Sequence, residues 1–191
     1  MKSFKFKNIL KEMNKKNIVI MGHMGSGKSV IGKILAKQFN CEHVDSDKEI
    51  IKYANKSINE IFQEKGEEYF RNIETEILHH FLEKKNIIIS LGGGSILNTS
   101  IRNKLIKNSI SIFLDVEFNV LKKRLMKSVN RPLLKNTNII KKVKELDTSR
   151  RKYYLRADIK IENTDTIFNT CQNLTKKLYN FYEKTNSNKN K

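Results

Sequence analysis

Proline occurs once in this 191-residue chain, tryptophan not at all and cysteine twice. The two cysteines, Cys41 and Cys171, lie far apart and outside any C-x-x-C arrangement. That argues against a disulfide framework and for a reducing, cytoplasmic setting. Long apolar runs are missing as well: none approaches the ~20 residues that a membrane span requires, and no signal-peptide core precedes the first strand-like run. Acidic residues are outnumbered, 20 Asp and Glu against 38 Lys and Arg, for a formal net charge of +18. Such an excess invites a nucleic-acid partner. However, no aromatic-interleaved basic motif or nucleic-acid module accompanies it. The lysines are instead spread over nearly every segment, among abundant Asn and Ile, as solvated surface would be. The expectation is therefore no specific nucleic acid and no membrane; a monomer with a small-molecule partner is expected too, though composition does not decide it. The length fits one domain with a proper core, and neither a repeat nor a linker divides it.

What the chain does contain is concentrated near its start. Residues 22–29 read Gly-His-Met-Gly-Ser-Gly-Lys-Ser, the G-x-x-x-x-G-K-S pattern of a phosphate-binding loop. The apolar run Ile18–Met21 feeds into it as a buried strand, and Val30, Ile31, Ile34, Leu35 and Phe39 leave it at helical spacing. Glycines let the backbone curl so that its N–H groups converge on a phosphate chain, and the new helix adds its positive end. Lys28 would reach the β- and γ-phosphates, and the Ser29 hydroxyl would ligate Mg²⁺. A plain glycine-rich turn would need neither Lys28 nor Ser29. The pattern thus implies a nucleoside triphosphate with its Mg²⁺.

Beyond the loop, short apolar runs alternate with helical patterns, the signature of an α/β sheet. Strands are expected at 17–21, 42–45, 86–91, 109–115 and 158–162. Helices are expected at 30–39, 48–54, 67–84, 100–107, 118–127, 139–156 and 166–183. Ser57-Ile58-Asn59-Glu60 reads as a capping box opening a short helix that Gly66 ends. Met1–Lys16, basic and weakly apolar, reads as a short extra helix, a frayed extension or a targeting segment, with the basic extension of the 17–184 domain favoured, and Thr185–Lys191 as a disordered tail.

Several segments carry candidate chemistry. Cys41, His43, Asp45 and Asp47 alternate along the second strand. Same-side positions there lie roughly 6.5–7 Å apart, too wide to close around zinc. Asp45 and Asp47 suit a Mg²⁺-nucleotide crevice beyond the strand's carboxyl end, with a helix cap at Asp47 as the plainer account. Arg71, with Glu74 three residues on, reads either as a surface ion pair or as a bidentate clamp on a carboxylate. Gly92-Gly93-Gly94 expose bare backbone at a strand end, so a ligand can approach closely. Arg131-Pro132-Leu133-Leu134 reads as a lid whose arginine folds over the phosphates. Ser149–Tyr154 adds guanidiniums and phenols, otherwise a basic solvated face.

In order and spacing these segments resemble the shikimate kinase family, small P-loop enzymes akin to nucleoside-monophosphate kinases. The pieces are GHMGSGKSVIGK (22–33), DSDKEI (45–50), IFQEKGEEYFRNIE (61–74), SLGGGS (90–95), RPLL (131–134) and RRKYYLRAD (150–158). The resemblance implies a parallel five-stranded sheet flanked by helices, with a mobile lid at about 128–138 and a substrate-binding segment at about 46–75. It implies transfer of the ATP γ-phosphoryl group to the 3-hydroxyl of shikimate, with ATP and Mg²⁺ as cofactors. Nucleotide contacts would come from Gly22, Gly25, Ser26, Gly27, Lys28, Ser29, Val30 and Arg131, and metal contacts from Ser29 and Asp45. Asp47, Arg71, Gly92, Gly93, Gly94 and Arg150 would hold the acceptor, with Lys28, Asp47 and Arg131 catalytic. Arg150 stands four before Tyr154, as the family's second carboxylate-binding arginine does before its tyrosine, while Arg151 and Tyr153 blur that register. Val30 departs from the family's frequent threonine. A gluconate-type or nucleoside-monophosphate kinase on the same scaffold is the rival enzyme reading. A nucleic-acid-binding P-loop protein and a non-catalytic homologue are the rivals outside it.

Overall fold

The computed structural model describes residues 6–126, 139–163 and 166–187. Five parallel strands, β1 (Asn17–Met21), β2 (Glu42–Asp45), β3 (Ile87–Ser90), β4 (Ser109–Asp115) and β5 (Ile159–Glu162), lie in the order β2-β3-β1-β4-β5. Each expected strand is present, with ends shifted by no more than a residue. Strands in such a sheet are buried on both faces, which is why β1, β3 and β4 read as nearly unbroken apolar runs.

Helices cover both faces. In one layer, α1 (Phe6–Glu12), α2 (Lys28–Phe39) and α8 (Ile167–Ser187) pack on Ile18, Ile20, Ile88, Ile110, Ile112 and Leu114. Opposite side chains of the same strands, Val19, Met21, Ile87, Ile89 and Phe113, meet the second layer. That layer draws on α4 (Ile58–Phe81), α5 (Thr99–Asn108) and α7 (Ile139–Tyr154), while α6 (Phe118–Met126) follows β4. A smaller core joins α3 (Ser46–Ala54) to α4 through Ile50, Ile61, Phe70, Ile73 and Ile77.

The Ser57 capping box forms as expected. Glu60 N–H donates to Ser57 Oγ over 3.2 Å, and Ser57 N–H donates to Glu60 Oε2 over 2.7 Å. Gly66 breaks the helix with φ 82° and ψ 174°, a conformation few other residues adopt. The chain therefore changes direction just before Glu67, and the second half of α4 presents Arg71 and Glu74 to the sheet.

Two expectations at the termini are corrected. Residues 6–12 form a helix rather than a loose extension, because Phe6, Ile9, Leu10 and Met13 recur at helical spacing and are all buried. Phe6 stacks on Phe39 with centroids 5.2 Å apart. Burying each such side chain stabilises the fold by roughly 1.5–3 kcal/mol, so this segment is integral to one layer. At the other end, residues 185–187 continue α8 instead of fraying; the rest of that tail lies outside the described residues.

Topology places the candidate site. β1 and β3 are neighbours in register, Ile20 opposite Ser90, and Leu91 N–H donates to Ile20 O over 2.9 Å. The loop after β1 and the glycines after β3 therefore leave the sheet side by side. β2 brings Asp45 opposite the same Ser90. The crevice beyond the carboxyl ends of these strands is where the strand order switches and where open α/β sheets take ligands.

Candidate active site

The phosphate loop is shaped by backbone conformation. Gly25 and Gly27 hold φ 80° and 93°, in the left-handed region, and Gly27 caps α2 without a side-chain hydrogen bond. The first N–H groups of α2 thus stay available to an anion. Lys28 Nζ donates to the carbonyls of Gly22 and His23, both over 2.9 Å, folding the ammonium across the loop. Ser26 is fully buried, and its Oγ finds no hydrogen-bond partner among the described residues. An orphaned hydroxyl in a curled glycine loop fits a bound phosphate chain.

Neighbouring strands brace this loop. Ser90 Oγ donates to Lys28 O over 3.0 Å and lies 2.9 Å from His43 Nε2. Since the single hydroxyl proton is committed to the carbonyl, His43 donates through Nε2–H. Burial lowers the His43 pKa first, with Lys33 and Lys48 adding to it and Asp45 opposing. His43 thereby braces the loop through Ser90. Asn163, at the end of β5, donates to Ser26 O over 2.6 Å and accepts from Thr170 Oγ1 over 3.0 Å. Arg124 of α6 reaches the Gly25 and Asn163 carbonyls, each at 3.4 Å.

The two aspartates separate by element. Strand β2 ends at Asp45, and Asp47 lies in the first turn of α3, so the expected alternation along one strand stops short of Asp47. The helix cap is Asp45, whose Oδ1 accepts from Asp47 N–H over 3.2 Å, and not Asp47. This turn aims Asp47 at the glycines: a methyl group added to Gly92 would stand 2.8 Å from Asp47 Oδ1. Ser29, at the start of α2, and Asp45, at the end of β2, are the residues that could offer oxygen to Mg²⁺, which binds through few protein ligands and keeps the rest as phosphate and water.

Arg71 is more than a surface ion pair. It donates through Nη1 to Glu74 Oε2 over 2.7 Å, and through Nε and Nη2 to Glu67 Oε1 over 3.2 and 2.9 Å. Glu74 is only 3% exposed and also accepts from Ser95 Oγ over 2.6 Å, so it anchors the guanidinium from the protein side. Any side chain at Gly94 would collide with Arg71, its Cβ standing 2.5 Å from Nη1 and 2.6 Å from Nη2. A Cβ on Gly93 would stand 3.3 Å from Arg150 Nη1 and 3.7 Å from Met24 N of the phosphate loop. The three glycines are the narrow wall that lets Asp47, Arg71, Arg150 and the phosphate loop share one crevice.

Arg150 and Arg151 part company on α7. Arg151 turns to Asp115, pairing through Nη1 at 3.2 Å and Nη2 at 3.0 Å. Arg150 is 4% exposed and its Nε finds no hydrogen-bond partner among the described residues. Burial pushes its pKa down, and the nearby charge of Arg71 adds to that, against the pull of Tyr154 and Glu74. Arg131, expected on the lid, lies outside the described residues.

Sequence reasoning passed over His23, Arg124, Asn163 and Asp147, each of which touches the phosphate loop. The rule that ligands gather beyond strand carboxyl ends would have drawn attention to Asn163. The spacing of Asp147, Arg150 and Tyr154 at i, i+3 and i+7 would have put all three on one helix face.

Comparison with known proteins agrees with this geometry. The profile described as "Shikimate kinase" matches residues 24–180. A shikimate kinase of Persephonella marina is 42% identical over 146 residues, 76% of this chain and 88% of that protein. The solved shikimate kinase from Acinetobacter baumannii in complex with shikimate superposes with a TM-score of 0.83 at 29% identity, covering 90% of this chain and 97% of that one. A gluconokinase from Sinorhizobium meliloti 1021 has a TM-score of 0.61 at 15% identity, over 91% and 97% of the two chains, and shares the fold alone.

Proposed function

The chain belongs to the shikimate kinase family, and on that premise we propose how its own residues carry the transfer of the ATP γ-phosphoryl group to the 3-hydroxyl of shikimate. The observation that supports the assignment of roles is the glycine wall at 92–94. Successive glycines of that wall stand against a carboxylate, Asp47, at Gly92, against Arg150 and the phosphate loop at Gly93, and against Arg71 at Gly94.

On the nucleotide side, the backbone of Gly22, Gly25, Ser26, Gly27 and Val30 holds the phosphates. Lys28 exchanges its carbonyl partners for phosphate oxygens. Ser29 and Asp45 hold Mg²⁺, which supplies charge neutralisation between the β- and γ-phosphates when bound. Arg131 adds its charge from a lid at about 128–138. On the acceptor side, Arg71 and Arg150 grip the carboxylate, and Gly92–Gly94 admit the ring closely. Asp47 accepts the proton of the attacking hydroxyl. Holding both substrates in line supplies most of what a loose phosphoryl transition state demands.

The kinase domain runs from α1 through α8, with the acceptor segment at about 46–75. The enzyme works as a monomer in the cytoplasm, a setting favoured by two free cysteines, one half-buried and one buried. None of the described helices is long and apolar enough to cross a membrane. The test is a coupled ADP-release assay with shikimate, gluconate and nucleoside monophosphates as competing acceptors. Turnover with shikimate alone is expected; a preference for gluconate or a nucleotide would overturn the acceptor side of the assignment.

A further inference from the structure

Arg150 is costly to hold where it stands. The carboxylates around it are engaged elsewhere: Glu74 with Arg71 and Ser95, Asp147 with His23 and Arg151. A buried cation without its own counter-ion gains by turning out to water, unless the surrounding structure prevents it. On α7, Asp147, Arg150 and Tyr154 share one face, and the residues on either side of the arginine are both docked. The Tyr154 hydroxyl donates to Gly93 O over 2.7 Å, and its ring stacks on Phe113 with centroids 5.1 Å apart. Asp147 Oδ1 stands 2.7 Å from Nε2 of His23, within the phosphate loop, a close polar contact off the line of an ideal hydrogen bond. The His23 ring in turn meets the Tyr154 ring edge-on, at 5.0 Å and 87°.

We infer that the His23–Asp147 contact is a positioning device that keeps Arg150 aimed into the acceptor pocket, so that an acidic acceptor meets a guanidinium already in place. The inference rests on Arg150 as a carboxylate-binding group. His23 touches both docked residues, closing a frame that runs from the phosphate loop through Asp147 and Tyr154 back to Gly93. Arg151 does not draw Asp147 away, since its shorter contacts go to Asp115 and it is 3.5 Å from Asp147. Pre-organising a binding side chain removes the ordering penalty from the binding step, so loosening it should weaken the acid selectively.

Calorimetric titration with shikimate and with its methyl ester, which keeps the hydroxyls and loses the carboxylate charge, tests this without relying on turnover. Wild type should prefer the acid, and Arg150→Ala should lose about 10- to 100-fold of shikimate affinity, the scale of one charge-assisted hydrogen bond. Asp147→Ala and His23→Leu should each weaken shikimate about tenfold and leave the ester within about twofold, with no further loss when Asp147→Ala is added to Arg150→Ala. Asp147 is more than a third exposed, so its substitution leaves the fold standing even where His23→Leu does not. Equal weakening of acid and ester, or additive losses in the double variant, would overturn the inference alone. A wild type that binds both ligands equally would overturn the role of Arg150 and the inference with it.

Discussion

The phosphate loop and the acceptor pocket face one another across three glycines, yet they are built in opposite ways. In the proposed assignment the loop is a single run of eight residues that works through backbone N–H groups, one ammonium and the hydroxyls of Ser26 and Ser29. The pocket takes Asp47 from α3, Arg71 and Glu74 from α4, glycines from the end of β3 and Arg150 from α7. Backbone recognition suits a ligand group common to every turnover, because it reads charge and shape and ignores what the phosphate is attached to. Side-chain recognition suits the group that must be told from its competitors, because unpaired buried polar groups penalise the wrong acceptor. The loop should therefore govern the rate with any acceptor, and the pocket should govern which acceptor is used.

The sharpest way to break that contrast is Lys28→Ala, the largest effect expected. Loss of a charge balancing the migrating phosphoryl should lower kcat by about 10³-fold or more. The loss should be the same with shikimate and with its ester. A selective loss for one acceptor, measured by ADP release, would place Lys28 in acceptor choice and dissolve the division.

Asp47→Asn comes next and sits on the boundary. The amide keeps the shape and loses the proton acceptor, so kcat should fall by about 10²–10⁴-fold while ATP affinity hardly moves. Should ATP affinity collapse while turnover survives, Asp45 and Asp47 have exchanged roles.

Arg71→Lys sharpens the comparison from the pocket side. An ammonium cannot reproduce the planar fork that now serves Glu67 and Glu74, so the KM for shikimate should rise by about 1–3 kcal/mol equivalent. ATP affinity should stay put. An unchanged ratio of acid to ester affinity would reduce Arg71 to an internal ion pair.

The smallest effect concerns pH and involves two histidines on the loop side, His23 within the phosphate loop and His43 bracing it through Ser90. Burial comes first in lowering the pKa of His23 and of His43 below the ordinary 6.5. For His23, Lys28 and Arg150 add to this and Asp147 opposes it. A base with a lowered pKa binds fewer protons folded than unfolded, so stability rises with pH from the lowered values up to about 6.5. Melting temperature should accordingly fall between pH 7 and pH 5, and His43→Asn should flatten part of that slope. A melting temperature independent of pH in this window would show that neither ring is held neutral by the fold.

Much of this molecule was legible before any coordinates. The five strands, the loop between β1 and α2, and the Ser57 cap all follow from local patterns, since each is decided within about ten residues. Other features resisted reading because their partners are remote in the chain. Phe6, Ile9 and Leu10 look like a weak basic extension until Phe39 and α8 supply the surface that buries them. Asp47 reads as a strand residue until the helix begins at Ser46, two positions earlier than its apolar pattern announces.

What the amino-acid sequence by itself determined is the phosphate cradle, because a contiguous eight-residue loop with three glycines, a lysine and two serines needs only its own backbone and two flanking elements. It also determined the sheet, because apolar runs at that spacing have no other way to be buried. The tertiary structure alone decided between Arg150 and Arg151, which are adjacent in the chain and chemically identical. Successive residues on a helix are turned by about a quarter of a circle. That rotation sends one guanidinium to Asp115 and buries the other beside Gly93. It likewise decided that His23, one variable letter of the loop motif, meets Asp147, since a contact across more than a hundred residues exists only once the sheet has brought α7 over the loop.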